Sequence, residues 1–297
     1  MAAALEVDFP LAGVVYSGQF SKGLTPKEVN MDQQHGQGNI PEKMALFAQS
    51  GADPSLVRFF EEALDTSAAQ GTAAPSSDGC YLQIDGAGLS LVENGRVLRG
   101  DFTKMLPRLI PNNLNRELLV KACRGKGMPG RLSAVDATAG LGEDAFLLAA
   151  AGFHVQLYER NPVIAALLSD ALRRGSGHPA LAPIVSRMQL HREDSITALP
   201  QLPVPPDVVV LDPMFPGRQK SGLIKKKFQL LHQLEQPCDE ENALLQAALS
   251  CAPRRVVIKR PLKGPCLAGY KPSYTLQGRS IRYDCIVVPA QDRRPGP

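Results

Sequence analysis

The chain has 297 residues, of which 44% are hydrophobic and only 5% aromatic, so its core must be mainly aliphatic. A formal net charge of +4 is too small to indicate a nucleic-acid partner without knowing how the charge is distributed. No stretch approaches the roughly 18 apolar residues of a membrane span, and six scattered cysteines without a C-x-x-C pair predict neither a metal site nor disulfides. The N-terminus lacks the charged and apolar regions of a signal peptide, so we expect a cytoplasmic protein with no membrane partner.

The N-terminal region is predicted to be an extension, partly helical, that covers residues 1–65. Two amphipathic segments with proline in the first turn, 41–49 and 54–64, predict short helices. Residues 66–79 are rich in Ser, Ala, Gly and Pro, which is typical of a flexible linker.

A small β-containing subdomain is predicted for residues 80–130. Residues 80–85 and 89–92 alternate in hydrophobicity around Asp85-Gly86, and this pattern predicts a β-hairpin. Residues 114–123 predict a connecting helix. Together these elements indicate a small N-terminal α/β subdomain.

From residue 131 to residue 290 strands and helices alternate, which predicts a mostly parallel sheet with helices on both faces. The predicted strands lie at 132–136, 153–159, 188–191, 207–212 and 255–259, and the predicted helices at 143–151, 162–174 and 222–250. Residues 274–277 and 282–288 predict an antiparallel pair at the edge. Ligands of such sheets bind at the carboxyl ends of the strands.

Acidic residues occur where the predicted strands end. Asp136, Glu159 and Asp212 close consecutive or nearby strands, and Asp194 follows the third strand. Acids often follow strands because they cap the next helix, which is an alternative explanation for any one of them. Four acids on one predicted edge favour a ligand site.

The first of these strands leads into a turn of small residues, Asp136-Ala-Thr-Ala-Gly-Leu-Gly142. Ala137, Gly140 and Gly142 allow the backbone to turn sharply and approach a ligand. Glu143 and Asp144 follow at the helix N-terminus, where a dinucleotide would place its pyrophosphate. Two carboxylates there repel phosphate, whereas S-adenosylmethionine (SAM) has no phosphate and carries cationic groups. Simple complementarity with the helix dipole is the alternative.

Glu159 closes the second strand, where a carboxylate can accept hydrogen bonds from both hydroxyls of a ribose. This position is shared with NAD-binding folds, so a Rossmann dehydrogenase remains a distant alternative. Together with Glu143 and Asp144, Glu159 favours SAM, which becomes S-adenosylhomocysteine after methyl transfer.

The segment Asp212-Pro-Met-Phe-Pro216 follows the fourth strand and resembles the Asn/Asp-Pro-Pro-Tyr/Phe motif of methyltransferases that act on exocyclic amines. Asp212 and the carbonyl of Pro213 can accept the N–H bonds of the amine and direct its lone pair, so that positioning supplies most of the catalysis. Phe215 can stack on a base. Met214 replaces the second proline of the motif, and an ordinary exit from a strand is the alternative.

The positive charge is concentrated in the C-terminal third. No acid occurs between Pro213 and Leu234 or between Asn242 and Tyr283. Such a distribution is typical of a surface that contacts phosphates, although a solvated lysine-rich face is also possible. The residues predicted to contact RNA are Lys220, Lys225, Lys226, Lys259 and Arg260.

These segments closely resemble the RsmJ-type methyltransferases, which act on a guanine exocyclic amine (N2) of 16S rRNA. The resemblance is carried by Asp136-Ala-Thr-Ala-Gly-Leu-Gly-Glu-Asp-Ala-Phe146, Tyr158-Glu-Arg-Asn-Pro-Val-Ile-Ala-Ala-Leu-Leu168, Leu211-Asp-Pro-Met-Phe-Pro216 and Val257-Ile-Lys-Arg-Pro261. It implies a class I, Rossmann-like methyltransferase domain and, as partner, small-subunit rRNA or the assembling small subunit. It also implies cofactor contacts at Glu143, Asp144, Glu159, Arg160, Asp194, Ser195 and Asp212.

Two other functions stay open at this point. A methyltransferase of the same fold can act on another amine, in DNA, tRNA or protein. A non-catalytic RNA-binding protein can also retain the fold, although Asp212 and Phe215 argue against it.

Overall fold

The computed structural model describes residues 44–72, 80–125, 132–213 and 240–289. Within these ranges the chain forms one sheet of five strands and one of seven, with helices between the strands. The predicted α/β architecture is therefore confirmed.

The smaller sheet has the strand order β2-β1-β3-β4-β5. Strand β1 lies between β2 and β3 and is parallel to both, while β3, β4 and β5 are antiparallel neighbours, so the predicted hairpin is confirmed. The strands are β1 (Ala45–Gln49), β2 (Ala68–Gly71), β3 (Cys80–Asp85), β4 (Gly88–Glu93) and β5 (Arg96–Leu98).

The helix predicted for residues 41–49 is wrong in its described part, because residues 45–49 form the strand β1. Leu46, Phe47 and Ala48 are buried in succession, which suits a strand covered on both faces rather than an amphipathic helix. Strand β2 lies in the predicted linker, whose residues 73–79 are outside the described ranges. The next predicted helix is confirmed as α1 (Pro54–Leu64), which the Asp53 side chain caps.

The larger sheet has the order β11-β12-β10-β9-β6-β7-β8. Five strands, β6 to β10, are parallel, and the predicted antiparallel edge is confirmed because β12 is antiparallel to both β10 and β11. The chain order reverses between β6 and β9, where ligands of such sheets bind. The strands are β6 (Leu132–Asp136), β7 (Phe153–Tyr158), β8 (Met188–His191), β9 (Val208–Leu211), β10 (Arg255–Pro261), β11 (Tyr274–Gln277) and β12 (Ile281–Val287).

The helix α5 (Pro162–Ser176) starts at the predicted signals. Asn161 caps α5 by accepting from the N–H groups of Val163 (2.9 Å) and Ile164 (3.2 Å), and Pro162 occupies the first turn. The helices are α2 (Pro111–Leu114), α3 (Leu118–Cys123), α4 (Glu143–Ala150), α5 (Pro162–Ser176), α6 (Ala182–Val185), α7 (Ser195–Ala198) and α8 (Glu241–Ser250), with a 3₁₀ segment at Phe102–Leu109. Residues 222–239 of the last predicted helix lie outside the described ranges. In the described part of the chain, no helix has the length and apolar character to cross a membrane.

The smaller sheet packs on helix α5 through a shared apolar core and one buried carboxylate. Leu82 and Leu91 of the sheet belong to the same buried cluster as Leu167 of α5 and Leu141 of the glycine turn. The fully buried Asp170 carboxylate accepts from the Leu89 N–H (3.0 Å) and from the guanidinium groups of Arg173 and Arg174 (both 2.8 Å). Because Leu141 of the glycine turn belongs to this cluster, the smaller sheet supports the turn that begins the site. The domain limits at residues 66, 80 and 131 stay predictions.

Candidate active site

The carboxyl ends of the parallel strands bring the four predicted acids to one edge of the larger sheet. Asp136 is the last residue of β6, Glu159 follows β7, Asp194 lies beyond β8, and Asp212 follows β9. The strand order β9-β6-β7-β8 therefore arranges them as Asp212, Asp136, Glu159 and Asp194 along the edge.

The glycine turn crosses this edge between β6 and α4. Gly140 and Gly142 have φ angles of 53° and 74°, a region that favours glycine. A Cβ on Gly142 would lie 2.7 Å from the Leu168 side chain, so glycine is also required by packing. The turn is held to β9 by the N–H of the buried Ala137, which donates to the Val210 carbonyl (3.0 Å).

Glu159 holds the glycine turn from the neighbouring strand. Its Oε2 accepts from the Gly140 N–H (3.0 Å) and its Oε1 from the Asn161 N–H (2.8 Å). The residue is 8% exposed. Burial raises the pKa of Glu159, and the hydrogen bonds to its ionised form oppose that change. A carboxylate offers about four acceptor positions, so these two bonds leave capacity for a ligand hydroxyl.

Thr138 connects the glycine turn to the segment after β9, and the sequence argument did not select it. Its Oγ1 accepts from the Asp212 N–H (2.7 Å), while its own N–H donates to Asp136 Oδ1 (3.2 Å). A hydroxyl residue two positions after a strand-ending acid is the sequence signal from which this role could have been predicted. Thr138 therefore sets the backbone position of Asp212 relative to the turn.

Lys259 of β10 lies between two of the acids. Its Nζ is 2.8 Å from Asp144 Oδ2 and 2.7 Å from Asp212 Oδ2. Burial disfavours the ammonium, but the carboxylates of Asp144 and Asp212 outweigh burial and raise the pKa of Lys259 well above its ordinary value. Lys259 is therefore a permanent cation within an acidic group.

Asp136 is the most deeply buried of the acids, with 2% of its surface exposed. Burial, and then the neighbouring carboxylates of Asp144 and Asp212, raise its pKa to about 7, although the Thr138 N–H bond and Lys259 act in the opposite direction. A carboxyl group that ionises near neutral pH is typical of a functional site.

At the far end of the edge, Asp194 and Arg160 make contacts within the protein. Asp194 Oδ1 accepts from the Ile196 N–H (2.9 Å) and caps α7, as the alternative explanation for strand-ending acids anticipated. Arg160 lies 3.5 Å from Asp194 Oδ2 and 3.4 Å from Glu240 Oε2. Ser195 is buried. Their predicted contacts with the cofactor stay predictions.

The predicted RNA contacts require correction where the structure describes them. Arg260 is 1% exposed, and its guanidinium donates to Glu241 Oε1 (3.1 Å) and to the Pro265 carbonyl (3.0 Å), so its prediction as an RNA contact is wrong. The Lys259 ammonium is paired with the carboxylates of Asp144 and Asp212. Pro213 is buried at the end of the described range. The other predicted residues, Phe215, Lys220, Lys225 and Lys226, lie outside the described ranges.

The loop after β10 begins at the same edge of the sheet and carries exposed cations. The Arg282 guanidinium holds this loop by donating to the carbonyls of Pro261, Leu262 and Gly264 at 2.7 to 2.9 Å. Asp284 accepts from the same guanidinium at 2.9 Å and 3.0 Å. The exposed residues of the loop include Lys263, Tyr270 and Lys271.

Comparisons with known proteins agree with this geometry. A model of the SAM-dependent methyltransferase family matches residues 71–288. The chain belongs to this methyltransferase family. The ribosomal RNA small subunit methyltransferase J of Marinobacter nauticus is 43% identical over 219 residues, which cover 71% of this chain and 79% of that protein.

Two further proteins support the assignment of the chain to this family. The ribosomal RNA small subunit methyltransferase J of Dechloromonas aromatica is 41% identical over 222 residues, covering 72% of this chain and 89% of that protein. A crystal structure of a SAM-dependent methyltransferase from Neisseria gonorrhoeae has a TM-score of 0.66 at 30% identity, covering 83% of this chain and 97% of that one. The resemblance to the RsmJ-type family is therefore confirmed.

The residues of the methyltransferase fit SAM, the cofactor of its family. The acids at the edge favour a cationic ligand over a pyrophosphate, and Glu159 retains acceptor positions for ribose hydroxyls. Glu143 and Asp144 occupy the first turn of α4, which in dinucleotide-binding proteins receives phosphate.

Proposed function

We propose that this protein transfers a methyl group from SAM to the exocyclic amine (N2) of a guanine in small-subunit (16S) rRNA. The observation that supports it most is the position of Asp212-Pro213, which the Thr138 hydroxyl and the Lys259 ammonium hold beside the glycine turn. The family and the names of its relatives support an rRNA substrate, and the amine motif supports N2 as the acceptor.

The glycine turn and the acids around it would hold the cofactor. The backbone at Gly140 and Gly142 would lie against the ligand, Glu159 would accept from the ribose hydroxyls, and Asp136 and Asp144 would attract the cationic portion. When bound, SAM supplies a methyl group on a positively charged sulfur, which leaves as the neutral thioether of S-adenosylhomocysteine.

Asp212 and the Pro213 carbonyl would position the acceptor. An aryl amine is a weak nucleophile because its lone pair is delocalised into the ring. Acceptors for its two N–H bonds turn that lone pair toward the methyl group, and orientation of this kind supplies much of the rate. As the nitrogen gains the methyl group it loses one proton, which Asp212 would receive and pass to solvent. Phe215 would stack on the base.

The surface that would contact the RNA backbone consists of cations from two segments. Lys263 is exposed two residues after β10, in the part of the loop that Arg282 holds. Lys220, Lys225 and Lys226 belong to the segment that carries Phe215. Cations at the mouth of an acidic site allow phosphate to approach without filling the cofactor space. The substrate would be free rRNA or the assembling small subunit, in the cytoplasm.

Nucleoside analysis tests the proposal. Purified protein, labelled SAM and small-subunit RNA from a strain lacking the gene should yield labelled N2-methylguanosine. Asp212→Asn, which keeps the shape but removes the negative charge, should lower kcat by about 100-fold with little change in SAM affinity. Label in another nucleoside, in tRNA, in DNA or in protein would refute the guanine assignment, and bound SAM with no transfer to any of them would favour a non-catalytic RNA-binding protein.

A further inference from the structure

The Lys259 ammonium lies between two carboxylates that belong to different parts of the site. It lies 2.8 Å from Asp144, in the first turn of α4, and 2.7 Å from Asp212, after β9. The first carboxylate belongs to the cofactor side of the site and the second to the acceptor side. One cation therefore spans the two halves of the site.

The surroundings of Lys259 argue against a phosphate contact. Its side chain is 25% exposed, and two of its three N–H donors point to carboxylates. Asp212 is the more exposed partner, at 42%, so the outward face of the group is a carboxylate rather than the ammonium. An RNA phosphate approaching from solvent would meet Asp212 first.

Titratable and charged groups face this cluster from every element packed on it. Tyr283 of β12 is directly opposite Lys259 in the antiparallel pair β10–β12. Its pKa is raised by burial and by Asp144, and Arg108 of the 3₁₀ segment interacts electrostatically with Asp144 and Glu143. Among the described residues, this set contains Asp136 of β6, Glu143 and Asp144 of α4, Arg108, Cys123 of α3, Asp212, Lys259 and Tyr283. In this set Lys259 is the cation in contact with Asp212.

We propose that Lys259 is a positioning residue that ties Asp212 to Asp144, and so keeps the Asp212 carboxylate ionised and turned toward the acceptor amine. An ionised carboxylate only accepts hydrogen bonds, whereas a protonated one can donate and would present the wrong polarity to an N–H group. The tie also limits the rotamers of Asp212, which is otherwise exposed to solvent. This role rests on the proposed function of Asp212.

Titration of the ligand-free protein tests the tie without any reaction. The carboxyl carbon signals of ¹³C-labelled aspartates are followed against pH in the wild type, in Lys259→Met and in Lys259→Arg, with Asp212→Asn to assign the signal. In Lys259→Met the Asp212 carboxyl should take up its proton at a pH at least one unit higher, because it has lost the adjacent cation. In Lys259→Arg the Asp212 carboxyl should take up its proton close to the wild-type pH, because the guanidinium again places a cation beside it. The control, Lys121→Met, removes an exposed lysine of α3 and should leave the curve unchanged.

Kinetics test the consequence for methyl transfer. Lys259→Met should lower kcat by about 100-fold while the KM for SAM changes less than about threefold, and Lys259→Arg should recover at least tenfold. The acid limb of the kcat profile should move to higher pH in Lys259→Met. Asp144→Ala removes the acceptor on the cofactor side and leaves the contact between Lys259 and Asp212 in place, so it should lower kcat by about tenfold.

The outcomes separate this role from its alternatives. An unchanged Asp212 titration in Lys259→Met overturns the tie, and so does a kcat equal to that of the wild type. If Lys259→Met does not fold, Lys259→Arg and Asp144→Ala decide, and wild-type kcat in Asp144→Ala overturns the link between the two halves. Because the titration uses no substrate, its failure is distinct from a failure of the proposed methyl transfer, which would instead appear as missing N2-methylguanosine.

Discussion

Replacing Asp136 with Asn should stabilise the ligand-free protein, and the gain should grow as the pH rises. The carboxyl is 2% exposed, and burial together with Asp144 and Asp212 raises its pKa from 3.8 to about 7. Asn keeps an oxygen that can accept the Thr138 N–H bond and carries no charge to bury. The substitution therefore removes an electrostatic cost and leaves the local hydrogen bond intact.

The sign follows from proton binding in the two states. Between pH 3.8 and about 7 the unfolded carboxyl is ionised while the folded one keeps its proton, so wild-type stability falls as the pH rises through this window. At about 1.4 kcal/mol for each pH unit, the full loss above pH 7 is about 4 kcal/mol. About 3 kcal/mol of this loss falls between pH 5 and pH 8. The free energy of unfolding of Asp136→Asn should not show this loss, because Asn does not ionise.

Urea unfolding followed by circular dichroism at pH 5 and pH 8 measures this difference. The control is Asp65→Asn, an exposed carboxyl in a left-handed conformation that Asn tolerates. Its stability relative to the wild type should vary with pH by less than about 0.5 kcal/mol. A stability difference between Asp136→Asn and the wild type that is the same at both pH values would refute the reasoning.

Three other perturbations have defined outcomes. Gly142→Ala combines a φ of 74° with a 2.7 Å clash and should cost about 2 to 5 kcal/mol in urea unfolding, whereas Gly152→Ala, with a φ of 96° in open space, should cost only about 1 to 2 kcal/mol. Asp170→Ala removes the buried acceptor of two guanidinium groups and should lower the free energy of unfolding by about 3 to 5 kcal/mol; a loss below 1 kcal/mol would contradict the buried pairing. Changing Lys263 to Glu should weaken RNA binding and reduce its log–log salt slope by about 1, with calorimetric SAM affinity unchanged; an unchanged salt slope would place the RNA elsewhere.

The elements that were predicted correctly are those in which a short stretch of sequence carries its own pattern. The β-hairpin at β3 and β4, the capped helix α5 and the central strands of the larger sheet follow from alternation, capping residues and apolar runs. The acids at the strand ends were also predictable, because parallel strands place their carboxyl ends on one edge.

The errors occur where partners distant in the chain determine the outcome. Residues 45–49 carry an ambiguous apolar run, and they form a strand because β2 and β3 pair with both of its edges. Arg260 and Lys259 are adjacent cations in a basic tract. Arg260 is nevertheless buried and paired with Glu241, whereas Lys259 lies between Asp144 and Asp212. Charge patterns show how many cations a segment has, but their burial depends on which side of the strand faces the core.

By itself, the sequence determined the fold class, the glycine turn and the family to which the chain belongs, since each depends on residues close together in the chain. Only the tertiary structure decided that Thr138 of the glycine turn and Lys259 of β10 both hold Asp212, and that a second sheet supports the turn through Leu141. These contacts join residues up to 115 positions apart, as in the Lys259–Asp144 pair. Such pairings arise from strand order and packing, which local propensity does not encode.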